Sequence, residues 1–140
     1  MTDTRRRRSI ALIERLARDR AKAAAREHAT LDAEHARLVA ERDDVLASLV
    51  DYPALPDAAA ARYVAGWIRS VSAHADHLAQ DAARTRVRCD EVARQAADEF
   101  REAETYRHLI DRIDAAGAER ERAAEIELLS AYLTKQPRTD

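Results

Sequence analysis

From Val64 to Gly117, residues of mostly apolar or small chemistry recur in two rows with a seven-residue period. One row is Val64, Val71, Leu78, Thr85, Val92, Glu99, Tyr106 and Ile113; the other is Ile68, Ala75, Ala82, Cys89, Ala96, Ala103, Ile110 and Gly117. Only Thr85 and Glu99 interrupt them. Alternating steps of four and three residues keep one narrow seam of a long helix against a partner helix over many turns. The pattern predicts an all-α chain, a coiled-coil rod. Such a rod encloses no pocket, so it is expected to act by reaching, propping or bridging other proteins, not as an enzyme.

Composition agrees at nearly every position. Charged residues make up 36% of the 140 positions and aromatic residues 4%, with two Gly and three Pro, which is too little punctuation and aromatic bulk for a thick globular core. Alanine occurs 32 times, and because Lys is confined to positions 22 and 135, 22 of the 24 basic residues are Arg. Both are strong helix formers. The net charge of -2 gives no reason to expect a nucleic-acid partner, although Arg5, Arg6, Arg7 and Arg8 form a local basic block ahead of Glu14. The short apolar run Ile10 to Ile13 is closed by Glu14 and Arg15, and no run approaches the roughly 20 residues of a membrane span. A single cysteine excludes an internal disulfide and points to a reducing, cytoplasmic setting.

The first helix is predicted from about residue 4 to 50, with a row at Ile10, Ala17, Ala24, Leu31, Leu38, Val45 and Tyr52 and a companion row at Ala21, His28, His35, Arg42 and Leu49. Residues 51–57 form the turn, because Pro53 and Pro56 lack backbone donors and push their predecessors out of helix. Asp57 is the expected N-cap of a second helix running from about 58 to 134, with 135–140 as a frayed tail. A short turn between long helices predicts a single-domain, antiparallel two-helix coiled-coil hairpin. Placing Leu49 opposite Val64 pairs Val45 with Ile68, Leu38 with Ala75, His35 with Leu78, Leu31 with Ala82, Ala24 with Cys89 and Ala17 with Ala96. It also opposes Glu14 to Glu99, a local conflict. In this register Arg5 lies beside His108, so the second helix overhangs, leaving Ile110, Ile113, Ile126, Leu129 and Leu133 without an intramolecular partner. An exposed stripe of this kind marks a binding surface or an oligomer seam.

Chemistry-bearing constellations are absent from the pattern. His28 and His35 stand roughly 10 Å apart along one helix, too far to share a zinc ion, and read as packing residues or a polar pin with Thr85. His74 and His77 lack a third ligand, Cys89 reads as a small seam residue, and two glycines cannot build a phosphate-cradling loop. No metal or cofactor is expected. The turn end concentrates the scarce aromatics instead: Leu49, Tyr52, Leu55, Tyr63, Val64, Trp67, Ile68 and Val71 serve either to close the seam or to anchor a partner.

The length, the hairpin plan, the longer second helix, and the tip sequence Leu49-Val50-Asp51-Tyr52 followed by Arg62-Tyr63 and Trp67-Ile68-Arg69-Ser70-Val71 together resemble the FliJ/YscO family of flagellar and type III secretion proteins. The likeness extends over nearly the whole chain, and its flagellar or injectisome branch is left open. It implies a non-enzymatic central stalk, cytoplasmic and peripheral to the inner-membrane export apparatus, that couples a hexameric export ATPase to the membrane export gate and binds export chaperones. Carried across by position, Leu49, Tyr52, Trp67 and Val71 would contact the gate. Arg5 to Arg8 with Ile110, Ile113, Ile126, Leu129 and Leu133 would face the ATPase or chaperones. The family does not require the paired prolines of the turn. A stalk is expected to be monomeric when free. The competing expectation is a self-assembling structural coiled coil whose overhang pairs with a second copy, and a third is a membrane-surface helix using Arg5 to Arg8 with Ile10, Leu12 and Ile13.

Overall fold

A computed structural model describes residues 2–50 and 57–135. It contains two helices, α1 over Thr2–Ala47 and α2 over Ala58–Lys135, packed against each other as an all-α hairpin. The helix starts and stops follow local chemistry. Helix α1 begins in its acidic first turn with Asp3, where a carboxylate complements the positive end of the helix dipole. It ends in a tightened turn, with Leu49 N–H donating to Leu46 O and Val50 N–H to Ala47 O, both at 3.1 Å. That places its end three residues before the predicted Val50. At the start of α2, Ala60 N–H donates to Asp57 Oδ1 at 2.8 Å, so Asp57 is the N-cap that its position suggested. Of the expected turn at 51–57, residues 51–56 with Tyr52, Pro53, Leu55 and Pro56 lie outside the described residues, as do residues 136–140 of the expected tail, whose first residue, Lys135, ends α2.

The helices divide into two compact units: residues up to Arg20 together with those from Asp98 onward, and Ala21–Ala97. In the Ala21–Ala97 unit the seam is built almost wholly from the predicted rows. Ala21, Ala24, Leu38, Ala75, Leu78, Ala82, Cys89, Val92 and Ala96 are buried, and His28, Leu31, His35, Arg42, Val45, Val64, Val71 and Thr85 are half-buried. Ile68, 41% exposed, is the exception. Alanine on the seam lets the backbones approach closely, and Val92 and Cys89 are the largest side chains fully removed from solvent. His28 and His35 take their seam positions, and Cys89 Sγ contacts His28 O at 3.8 Å.

The register differs from the sequence expectation. Leu38 packs with Leu78 and Ala82, not Ala75, and Ala24 packs with Val92 and Ala96, not Cys89. Asp32 reaches Arg86 at 3.4 Å and Glu27 reaches Arg88 at 3.1 Å. Partners of α1 thus lie about one turn further along α2 than predicted. Sliding a heptad seam by three, four or seven residues again sets seam positions against seam positions, so apolar periodicity alone cannot choose among these registers.

In the unit that begins at Thr2 and resumes at Asp98, Ala17, Ala103 and Ile110 are buried, with Ile10, Tyr106, Ile113 and Gly117 half-buried beside them. The displaced register removes the Glu14–Glu99 conflict. Glu14 is held by Arg18 at 2.8 Å, Arg18 also reaches Glu104 at 3.5 Å, and Glu99 lies 3.4 Å from Arg20.

Candidate functional site

The N-terminal turns of α1 are tied to α2 by ion pairs. Arg7 donates to both oxygens of Asp114, Nε to Oδ1 at 2.6 Å and Nη2 to Oδ2 at 3.1 Å, and Arg120 Nη2 donates to Asp3 Oδ2 at 2.7 Å. Hydrogen bonding and charge from Arg120 hold the Asp3 carboxyl below its ordinary range, and hydrogen bonding from Arg7 does the same for Asp114. Asp114 in turn raises Arg7 above its usual value. These pairs carry the α1–α2 contact to Arg120, well beyond His108.

Two of the five predicted overhang residues are therefore corrected. Ile110 is only 3% exposed and belongs to the seam, and Ile113 is half-buried next to it. The other three, Ile126, Leu129 and Leu133, are 67%, 62% and 69% exposed. Every residue from Ala118 to Lys135 is exposed, including Leu128 and Tyr132, which the heptad rows do not contain. Their signal was a four-residue spacing that runs beside the one shared by Leu129 and Leu133. At 100° per residue, the mean direction of Ile126, Leu128, Leu129, Tyr132 and Leu133 lies roughly 110° round α2 from that of Ala103, Tyr106, Ile110, Ile113 and Gly117. Lengthening α1 along its seam would leave much of this face bare.

The arginine block is split by the helix. Arg7 is spent on Asp114, whereas Arg5, Arg6 and Arg8 are exposed and form no ion pair among the described residues. At the other candidate surface, Leu49, Trp67 and Val71 are all half-buried, and Tyr52 lies outside the described residues. The most exposed apolar side chains near these are Val50 at 82% and Tyr63 at 79%.

Among the described residues no group of three His, Cys, Asp or Glu side chains stands close enough to hold a metal ion, and no helix is long and apolar enough to cross a membrane. No family model, curated protein or solved structure matches the chain.

Proposed function

We propose that this chain is a non-enzymatic stalk of a type III protein export apparatus, coupling a hexameric export ATPase to the membrane export gate and binding export chaperones. The reading rests on the resemblance of its hairpin plan and tip sequence to the FliJ/YscO family. The observation that carries it furthest is the exposed end of α2, where Ile126, Leu128, Leu129 and Leu133 offer an apolar face that α1 does not cover. An amphipathic helix of this kind is recognised by laying its apolar side in a partner's groove. Asymmetric contacts between a helical pair and successive subunits of a ring would bias the nucleotide state of each subunit through differential binding. On this reading Val50 and Tyr63 join Leu49, Tyr52, Trp67 and Val71 at the gate-facing end.

The test is the turnover and hexamer content of an export ATPase encoded beside this chain, measured with and without the purified protein. Both are expected to rise, and to rise less with Leu129→Asp/Leu133→Asp. An ATPase indifferent to the protein removes this reading. The spacing of Ile126, Leu129 and Leu133, three and four residues apart, also suits self-pairing through a second copy, which is the alternative.

A further inference from the structure

The outward face of the first five turns of α1 adds Leu12, Arg15 and Leu16, which the stalk reading does not use, to Arg5 and Arg8, which it turns toward the ATPase or chaperones. At 100° per residue, Arg5, Arg8, Leu12, Arg15 and Leu16 fall within an arc of roughly 100°, centred about 180° from the seam residues Ile10, Glu14, Ala17 and Ala21. All five are exposed, with Leu12 at 58% and Leu16 at 51%. None of the three arginines is ion-paired among the described residues. The two carboxylates between Thr2 and Arg18 are both engaged elsewhere, Asp3 by Arg120 and Glu14 by Arg18. From Thr2 to Arg18 this face is therefore cationic and apolar with no acidic residue, and Asp19 closes it.

We propose that this face binds the surface of an anionic lipid bilayer, with α1 lying flat, Leu12 and Leu16 at the headgroup boundary, and Arg5, Arg8 and Arg15 on lipid phosphates. Charge complementarity selects the partner. Two leucines on a convex helix fall short of the roughly 800 Å² that a specific protein interface buries on each side. A bilayer has no such requirement, because its attraction for basic side chains accumulates residue by residue. Long arginine stems also let the guanidinium groups reach phosphate while the leucines sit lower. The inference does not depend on the stalk reading, and its test needs no ATPase.

The experiment is flotation of the purified full chain with vesicles of phosphatidylcholine containing about one third phosphatidylglycerol, against phosphatidylcholine alone. Binding is expected with the anionic vesicles only, and is expected to be lost as salt rises from about 0.05 M to about 0.5 M. Removing three charges with R5Q/R8Q/R15Q should weaken partitioning about a hundredfold, at roughly fivefold per arginine. R5K/R8K/R15K should retain it, and circular dichroism establishes that each variant is helical. R84Q/R94Q/R101Q, which removes the same charge from α2, should bind as the parent does. The proposal is overturned by no flotation, by equal flotation with neutral vesicles, by loss of binding in the lysine variant, or by equal weakening in both glutamine variants. Capture by polyglutamate without vesicle binding overturns it as well, and assigns the face to an acidic protein segment.

Discussion

Glu99 shows how much one side chain can reveal about a seam. It occupies a heptad position, its Oε2 is buried without a hydrogen bond, and Arg20 Nε at 3.4 Å supplies a charge contact without hydrogen-bond geometry. A partly desolvated carboxylate held this loosely is a poor use of a core position. Replacing it with leucine should raise stability by about 1 kcal/mol, read as a higher urea midpoint at unchanged slope. Arg20, 56% exposed, stays solvated in the variant, so a lower midpoint would mean that its attraction to Glu99 outweighs burial. The Asp3 and Asp114 carboxyls act in the opposite sense. Both are lowered from an ordinary value of 3.8 by arginine partners, so their stabilisation is fully present above that value and is lost as pH falls through the lower folded one. The gap in melting temperature between the parent and D3N/D114N should be constant from neutrality to about pH 5 and close in more acidic buffer. Both carboxylates are solvent-exposed, so added salt should narrow the gap at every pH. A gap that widens on acidification would overturn the assignment.

Helices were far more legible than their alignment. Propensity, the two rows, the N-cap at Asp57 and the position of the break between α1 and α2 are all local signals, and they located both elements to within a few residues. Register is a relation between elements, and a seven-residue repeat leaves it degenerate. What distinguishes the observed register is polar: Glu104 with Arg18, Glu99 with Arg20, Asp114 with Arg7 and Asp3 with Arg120. The opposed glutamates of the predicted register were the visible warning. Because α1 begins at Thr2 and the pairing is displaced, the overhang is shorter than predicted and starts after Arg120. That boundary makes a prediction for the element. Ending the chain at Arg120 removes, among the described residues, only exposed helix, so the unfolding free energy should change by less than about 0.5 kcal/mol. Urea titration of the truncated chain is the measurement, and a larger loss would mean that residues 121–135 pack on the hairpin after all.

At the scale of the molecule, the candidate surfaces were only partly legible. Ile126, Leu129 and Leu133 were found because they are apolar and distant from the turn, and Ile110 and Ile113 were included because the overhang was counted from the wrong register. Leu128 and Tyr132 carry the same signal, apolar and distant from the turn, and were overlooked; the five together average a direction rotated away from the seam. This rotation bears on the choice between a stalk that is monomeric when free and a self-assembling coiled coil. A second copy would have to pair through residues 121–135 alone, which rise about 22 Å, on a face turned away from the existing seam. Four turns of helix against four turns bury well under the roughly 800 Å² per partner of a standard interface, and so short a contact does not offset the cost of association. Sedimentation at micromolar concentration should therefore give a monomer whose coefficient is independent of dilution. A dimer that dissociates on dilution and vanishes when the chain ends at Arg120 would instead establish self-assembly through the overhang and displace the stalk reading.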